Sequence, residues 1–227
     1  MCGRLDQSHS ASEYLAAMQW PQSNPSVASQ ATPSYNASPG TYRPVMRIVD
    51  DQLVIDDWFW GYRASWAVGK VPIAINARIE KISNRYWSPL VKTGRAIVPA
   101  DGWYEWTGEK GKKQPWHIHL KTREPLFMAA IAATGPCREN ACEAGFVIVT
   151  SDAEGGMVDV HDRRPVVLSA EDAKLWLDPA LSAEAAGQLV RSVALGPDEF
   201  EWHAVSREVG RSTNEGPHLA AQLDLPL

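Results

Sequence analysis

Apolar residues in this chain occur in many short runs that are rich in β-branched and aromatic side chains. Runs of this kind, bounded by Gly, Pro, Asn or Asp, are typical of β-strands. The pair Asp50-Asp51 separates two of them and predicts a hairpin turn. We predict strands at Val45–Val49, Leu53–Trp60, Val71–Ile75, Ala96–Val98, Trp116–Leu120, Leu126–Ile131, Phe146–Thr150, Pro165–Leu168 and Phe200–Val205.

Helical patterns are confined to a few segments. The residues from Ser10 to Glu13 form a capping-box sequence, which predicts a helix that buries Leu15 and ends at Pro21. Because strands outnumber helices and do not alternate with them regularly, the pattern predicts a single α+β domain around a curved, mainly antiparallel sheet. Further helices are predicted at Ser83–Lys92, Ser169–Leu177 and Ser182–Val193.

Composition narrows the class of protein without indicating an activity. The chain has 227 residues, of which 44% are hydrophobic and 22% charged, and this excludes disordered and fibrous proteins. The longest apolar run, Leu126–Ala133, is far shorter than the roughly 20 residues that span a bilayer. The first residues lack the apolar segment of a signal peptide, and three cysteines argue against a disulfide framework. We therefore expect a cytoplasmic protein with no membrane partner.

Charge is distributed unevenly along the chain. The formal net charge is −5, but the stretch Tyr62–Arg123 contains twelve Lys or Arg against four acids, a local balance of +8. Seven of the ten tryptophans lie in or beside this stretch. Basic residues interleaved with aromatics suit phosphate neutralisation and base stacking. The same pattern is expected if the tryptophans belong to the core and the charges to a solvated face.

Cys2 is a candidate nucleophile. A small residue after Met1 normally permits removal of the methionine, which would leave Cys2 with a free α-amine beside its thiol. An α-amine has a pKa of about 7.7–8.0, so roughly a tenth of it is neutral at pH 7. Such an amine attacks an aldehyde to give a Schiff base, and the thiol then closes a thiazolidine ring. The alternative is a chain terminus without chemistry.

A second candidate lies in Asp101–Trp106, where a glycine turn leads into a strand. Alternation along the strand places Trp103 and Glu105 on one face and Tyr104 and Trp106 on the other. A carboxylate buried beside aromatics has a raised pKa and can exchange protons near neutral pH. The alternative is a glutamate on an exposed strand.

Two further segments present polar groups next to predicted strands. His161–Pro165 supplies a histidine suited to proton transfer and arginines suited to clamping a phosphate. Asn76–Glu80 follows the apolar run Val71–Ile75, where it could present an amide and a guanidinium at a cleft. A structural histidine and a capped strand end are the alternatives.

Cysteine and histidine spacing predicts no metal site. Cys137 and Cys142 lack a second pair at the spacing of zinc sites, and nothing downstream completes four ligands with His117 and His119. We therefore expect structural or surface cysteines, and no cofactor is implied.

Together and in this order, the motifs resemble the SOS-response-associated peptidase (SRAP) family. The M-C-G-R start, A-D-G-W-Y-E-W and H-D-R-R-P form a specific combination. The resemblance implies a domain over residues 2–210, with a barrel-like, mainly antiparallel β-sheet flanked by helices, and a tail over 211–227 that we expect to be loosely held. The matching motifs are Met1–Arg4, Tyr35–Gly40, Asn76–Glu80, Arg95–Trp106, Phe146–Thr150, His161–Pro165 and Trp202–Ser206.

The resemblance also implies an activity. Members of the family form a covalent thiazolidine cross-link between the N-terminal cysteine and a ring-opened abasic site in single-stranded DNA, including single/double-strand junctions. Carried over to this chain, Cys2 is the nucleophile and Asn76 orients the sugar and the cysteine. Glu105 acts as acid and base, and His161 assists proton transfer and reversal. The residues implied for DNA binding are Arg4, Asn36, Trp66, Arg78, Arg85, Trp106, Thr150, Ser151 and Arg163.

Three functions are open on the sequence. The first is abasic-site cross-linking with lyase-type Schiff-base chemistry, by a monomer that acts on the nucleoid at damaged replication forks. The second is an N-terminal-nucleophile thiol peptidase, including autocatalytic removal of Met1, in which Cys2 attacks an amide. The third is a module that binds modified or single-stranded DNA without covalent chemistry. Reaction with an aldehyde gives a stable covalent adduct, whereas attack on an amide gives catalytic turnover. A binding module gives neither an adduct nor turnover.

Overall fold

The computed structural model describes residues 2–21, 25–109, 111–134 and 144–223, and strands dominate it. The strands are β1 Leu5–Gln7, β2 Ser26–Val27, β3 Ser34–Ala37, β4 Tyr42–Val49, β5 Gln52–Phe59, β6 Asn76–Arg78, β7 Arg95–Ala100, β8 Gly102–Thr107, β9 Gln114–Leu120, β10 Leu126–Thr134, β11 Ala144–Asp152, β12 Arg163–Pro165, β13 Val167–Leu168 and β14 Phe200–Ala204. The α-helices are α1 Ala11–Met18, α2 Ser88–Thr93, α3 Ala170–Leu177 and α4 Ala183–Ser192. Single 3₁₀ turns occur at Ser65–Ala67, Ile79–Lys81, Gly155–Asp159, Pro197–Glu199, Arg207–Gly210 and Pro217–Leu219. No helix within these ranges is long and apolar enough to cross a membrane.

The strands form two sheets. One has the order β14-β9-β8-β1-β3, and the other has the order β12-β11-β10-β7-β4-β5-β2, with β13 added to β10 and β6 added to β11. Only the β6–β11 and β2–β5 pairings between the described strands are parallel. The predicted α+β class and mainly antiparallel pairing are confirmed. The barrel-like shape is not: the described strands close no barrel, because each sheet has two different end strands that do not pair with each other.

The sheets and helices stack in layers. Alternate residues of β10 point to opposite sides of the larger sheet: Ala129 and Ile131 belong to the core under the helices, and Met128 and Ala130 belong to the core between the sheets. The helical core includes Trp176 of α3, which is fully buried. This arrangement leaves the core between the sheets as the place where the N-terminal residues are buried.

Local sequence explains the first hairpin and the helix ends. Asp50 and Asp51 both have positive φ, 47° and 62°, and close the predicted turn between β4 and β5. The capping box is confirmed, since the Ser10 hydroxyl accepts the N–H of Glu13 and the Glu13 carboxylate accepts the N–H of Ser10. The predictions for α3 and α4 are confirmed to within a residue. Helix α2 begins later than predicted, with Pro89 in its first turn.

The predicted strand Val71–Ile75 is wrong. In its place, Ala74 makes an isolated bridge to Tyr62, and β6 begins only at Asn76. Pro72 lacks the backbone N–H that a strand needs for its ladder. As a result Asn76 opens a short strand that pairs with β11, rather than ending a long one.

The chain after Gly210 is packed against the outer face of the smaller sheet. Leu219 is fully buried in a cluster with Tyr104 of β8. The carboxylate of Glu215 accepts hydrogen bonds from the Ser34 hydroxyl and from a backbone N–H of β3. The expectation of a loosely held tail is therefore wrong for residues 211–223, because this segment covers apolar surface. A domain boundary at residue 210 stays a prediction.

We expect Leu219→Ala to lower the free energy of unfolding by about 2–5 kcal/mol, because it leaves a cavity where a fully buried side chain was. Denaturant titration measures the loss. Leu175→Ala on α3 is the matched control, since Leu175 is 51% exposed and its loss should cost less than about 1 kcal/mol. Equal costs for the two variants would show that the segment after Gly210 does not contribute to the core.

Candidate active site

Strand β1 carries the chain start into the core between the sheets. Leu5 of β1 pairs with Trp103 of β8, and Cys2 is fully buried just before it. The Nδ2 atom of Asn76 donates a hydrogen bond of 2.9 Å to the carbonyl oxygen of Cys2. Burial raises the pKa of the Cys2 thiol well above its usual range, and the charge of Glu105 raises it further. The thiol is therefore neutral at pH 7.

Asn76 is positioned by the parallel pairing of β6 with β11, in which it lies opposite Ile148. Its side-chain oxygen Oδ1 is buried and has no hydrogen-bond partner among the described residues. A buried acceptor left without a partner costs free energy. This oxygen is consequently available to a donor that enters the site beside Cys2.

Glu105 is placed by the alternation predicted for β8. Trp103 lies in the core between the sheets with Cys2, whereas Tyr104 and Trp106 pack on the opposite face under the C-terminal segment. Glu105 is only 3% exposed, which excludes a surface glutamate. Burial raises its pKa to about 7, so about half of this carboxyl is protonated at neutral pH and can donate a proton.

His161 lies next to Glu105, with 3.9 Å between its Nε2 atom and a carboxylate oxygen. The backbone N–H of Arg163 donates a 2.9 Å hydrogen bond to Nδ1. The carboxylate of Asp162 also lies 2.7 Å from Nδ1, but this side chain is 84% exposed to water. A backbone N–H can only donate, so we assign the proton of the neutral ring to Nε2, on the side of Glu105. Burial lowers the pKa of His161, which keeps the ring neutral at pH 7.

An open cleft of about 390 Å³ leads to these groups. Its volume lies within the range of small-ligand sites, about 300–1,000 Å³. Lys113 also lines this cleft, although in the sequence it is only one of the twelve basic residues of Tyr62–Arg123. The sequence feature that could have indicated this role is its position immediately before β9, in the hairpin that β8 and β9 form. The lining residues are Glu105, Trp106, Lys113, His161 and Gly210.

Three of the residues predicted to bind DNA have internal partners. The Arg4 guanidinium donates a 2.6 Å hydrogen bond to Oδ1 of Asn36, which is buried. Arg163 is also buried and forms ion pairs with Glu80 and Asp152. These side chains order the segments around the cleft, and direct contact with DNA stays a prediction for each of them.

Strand pairing places several other residues that are predicted to bind DNA side by side. Arg78 of β6 lies opposite Thr150 of β11, and Asp152 of β11 lies opposite Arg163 of β12. Thr150 is buried, whereas Ser151 is half-buried and has a buried hydroxyl oxygen without a hydrogen-bond partner among the described residues. Arg78 is exposed and extends from this row towards solvent.

The two tryptophans predicted to bind DNA differ in exposure. Trp66 is 60% exposed on a 3₁₀ turn, where its ring contacts Tyr86 at 5.5 Å between centroids. Trp106 is half-buried and lines the cleft, with the Arg4 guanidinium 6.0 Å from its ring centre. Arg85 is exposed. The core interpretation of the basic, tryptophan-rich stretch is therefore confirmed for some of its tryptophans, and base stacking by the others stays a prediction. The buried ones are Trp60, Trp87 and Trp103.

Comparison with known proteins identifies the class to which this fold and site belong. A model of the family described as SOS response associated peptidase (SRAP) matches residues 1–212, so the chain belongs to the SRAP family. The predicted resemblance is thereby confirmed. Among individual proteins, the chain is 41% identical over 221 residues to the abasic site processing protein YedK of Escherichia coli (strain K12). That match covers 96% of this chain and 98% of YedK.

A more distant relative and two solved structures are also similar to this chain. The chain is 29% identical over 237 residues to the abasic site processing protein HMCES of Mus musculus, a match that covers 85% of this chain and 66% of HMCES. The crystal structure of a phage-related protein from Bordetella bronchiseptica superposes with a TM-score of 0.76 at 40% identity, covering 91% of this chain and 95% of that one. A protein from Bacteroides thetaiotaomicron shares the fold, with a TM-score of 0.75 at 20% identity and coverage of 98% and 100%.

Proposed function

We propose that this protein processes abasic sites in single-stranded DNA by forming a thiazolidine cross-link through Cys2, after removal of Met1. The observation that carries the proposal is the meeting of Cys2 with an acid–base pair, Glu105 and His161, beside an open cleft. The relatives YedK and HMCES are named abasic site processing proteins, which supports the same class of substrate here. An abasic site has no base edge to read, so recognition rests on phosphate contacts, stacking and the aldehyde itself.

The covalent step needs only the amine and thiol of Cys2. The neutral α-amine adds to the C1 aldehyde of the opened sugar and gives a carbinolamine, which loses water to become a Schiff base. The S–H bond then adds across the C=N bond, with sulfur bonding to carbon and the proton moving to nitrogen. One water is released in total. No oxidant or cofactor enters the balance.

Glu105 supplies the proton that this sequence requires. With a pKa of about 7 it can donate to the ring oxygen as the sugar opens, and to the carbinolamine hydroxyl as water leaves. The Nε2–H of His161, 3.9 Å from the carboxyl, stabilises the carboxylate that remains and so assists proton transfer and reversal without giving up its own proton.

Asn76 acts as a positioning residue in this scheme. Its amide holds the backbone of Cys2 through the 2.9 Å hydrogen bond, which limits where the amine and thiol can lie. Its Oδ1, which has no partner among the residues that the structure describes, can accept a hydrogen bond from the amine or from a sugar hydroxyl. The structural alternative for this segment, a capped strand end, does not explain that buried oxygen.

The protonation state of the thiol favours the aldehyde over the amide as electrophile. A thiol peptidase attacks with a thiolate, and burial here raises the pKa of the Cys2 thiol rather than lowering it. In thiazolidine formation the amine attacks first, and a neutral thiol completes the ring. The peptidase function is consequently the weaker of the two proposals.

Exposed basic residues are proposed to hold the DNA backbone, and this is testable by salt dependence. We expect Arg78→Gln and Arg85→Gln each to weaken binding of single-stranded DNA and to make the plot of log affinity against log salt less steep by about 0.7. Fluorescence anisotropy with an unmodified oligonucleotide measures both. Lys92→Gln removes the same charge from α2, in the helical layer, and should leave the slope unchanged. Identical slopes in all three variants would contradict the proposal that Arg78 and Arg85 hold the DNA backbone.

A denaturing gel separates the three functions. The untagged protein is mixed with an oligonucleotide that carries one abasic site, in single-stranded, junction and duplex forms. The cross-linking proposal predicts a shifted band that survives denaturation and is strongest with the first two forms. A peptidase would give no such band, and a binding module would give a complex under native conditions only. Light scattering on the same material tests the expected monomer.

A further inference from the structure

Three histidines meet on the face of the smaller sheet that points away from Cys2. His117 and His119 are alternate residues of β9, and His203 of β14 lies directly opposite His117 in the strand register. The ring centroids of the three side chains are 5.3–5.4 Å apart. One ring nitrogen from each lies within 4.8 Å of the others. The neighbouring strand β8 presents Tyr104 on this face.

Several ring nitrogens of this cluster have no hydrogen-bond partner among the described residues. Both nitrogens of His117 and the Nε2 atom of His119 are buried without a hydrogen-bond partner among the described residues, and these side chains are 4% and 2% exposed. An oxygen of Asp6 lies 3.2 Å from Nε2 of His117, but the contact is not aligned as a hydrogen bond. Buried polar atoms without partners are rare in native proteins, and they often belong to a site that binds an ion or a water molecule.

Hydrogen bonds to backbone carbonyls determine which nitrogen of His119 and of His203 carries the lone pair. His119 donates from Nδ1 to the carbonyl of Leu120 at 2.9 Å, and His203 donates from Nε2 to the carbonyl of Ala220 at 2.8 Å. Carbonyls only accept, so the other nitrogen of each ring carries the lone pair. Histidines that bind metals are held in this way by acceptors at their second nitrogen.

We propose that His117, His119 and His203 bind one divalent transition-metal ion of the zinc class. Neutral imidazole is a preferred ligand of such ions. Ligand atoms around a tetrahedral zinc lie about 3.4 Å apart, so the rings must turn inwards from their present spacing. Glu201, whose carboxylate is 3.6 Å from Nε2 of His119, already lies near that spacing and is the candidate fourth ligand.

The expected role of the ion is structural. The site joins β9 to β14, and through the Ala220 carbonyl it also joins the segment after Gly210. It lies on the opposite face of the sheet from Cys2 and outside the cleft beside Glu105. Metal binding is therefore expected to change stability and to leave the reaction with DNA unaffected. The local sequence does not indicate this site, because His203 is far from the other two histidines in the chain and only the sheet register brings it to them.

The test is calorimetric titration of the chelator-treated full chain with Zn²⁺. We expect one equivalent to bind, and the melting temperature to rise by about 5–10 °C when free Zn²⁺ is a hundredfold above its Kd. His119→Phe should weaken binding by about 100-fold or more. His218→Gln removes a half-exposed histidine outside the cluster and should bind like the parent chain.

Co²⁺ provides a measurement that does not depend on a variant folding. A four-coordinate site gives Co²⁺ strong visible absorption, and the band should appear at one equivalent and disappear on addition of Zn²⁺. The proposal is overturned if the parent chain binds neither ion at one equivalent. It is also overturned if folded His119→Phe binds as tightly as the parent, or if the loss appears in His218→Gln instead.

Discussion

Replacing Cys2 with alanine is expected to abolish the denaturation-resistant complex with abasic DNA. Alanine is as small as cysteine at this position, so removal of Met1 and the free α-amine are retained, and only the thiol is lost. The amine still forms a Schiff base, but water reverses it because no sulfur closes the ring. A denaturing gel should show no shifted band, against a strong band for the parent chain.

A reducing trap makes the same variant diagnostic. With cyanoborohydride in the reaction, Cys2→Ala should regain a shifted band, because reduction converts the Schiff base into a stable amine. Since Cys2 is fully buried, circular dichroism must show that the variant folds. Cross-linking at the parent level without reductant would show that sulfur has no part in the adduct. Absence of the band even with reductant would show that the α-amine does not attack.

Glu105→Gln is expected to slow cross-linking by about 10²–10⁴-fold, the usual contribution of a positioned acid or base. With an α-amine pKa of about 7.7–8.0, the parent rate should rise up to about pH 7 as more amine becomes neutral. It should fall above about pH 8, where loss of the Glu105 proton outweighs that gain. Glutamine cannot donate this proton, so the variant should keep only the rising limb. Single-turnover rates between pH 5 and 9 measure the change.

Glu109→Gln is the matched control, because Glu109 is exposed and follows Glu105 in the same hairpin. It should retain both the rate and the bell-shaped profile. A bell-shaped profile in folded Glu105→Gln would contradict the assignment of the acid.

The same carboxyl also links stability to pH. Its pKa is raised on folding from 4.5 to about 7, so the folded state binds more protons between these values. Its stabilising contribution is therefore complete below about pH 4.5 and is lost as the pH rises through 7. Unfolding of Glu105→Gln should lack this part of the pH dependence.

Strand alternation explains why part of the site could be predicted from the sequence. The period of two in β8 was sufficient to place Trp103 and Glu105 on one face and Tyr104 on the other, and the structure confirms it. The capping box at Ser10 and the Asp50-Asp51 turn depend on neighbouring residues only, and both are confirmed. Features that depend on contacts within a few residues were thus accessible.

Features that depend on contacts between residues far apart in the chain could not be predicted from the sequence. Asn76 reaches Cys2 because β6 pairs in parallel with β11, which no local pattern indicates. The internal ion pairs of Arg163 with Glu80 join segments that are far apart in the chain. An arginine at a phosphate site and one in a buried ion pair have the same local sequence.

Burial of the chain after Gly210 was missed for a related reason. The first half of this segment, Arg211–His218, is polar, a composition typical of a mobile tail. Leu219 and the carboxylate of Glu215 anchor it to the sheet beneath, and the side chains of Asn36 and His203 donate hydrogen bonds to its backbone carbonyls. The register of β9 with β14 brings the three histidines together in the same way.

The most direct test of the covalent proposal is the mass of the cross-linked N-terminal peptide. Trypsin cleaves after Arg4, so digestion of the adduct with nuclease and trypsin should give the peptide Cys2–Arg4 without Met1, with the sugar remnant bonded to its first residue. Fragmentation should locate the modification on both the nitrogen and the sulfur of Cys2. Cross-linked material that retains Met1, or a sugar bonded to any other residue, would contradict the account.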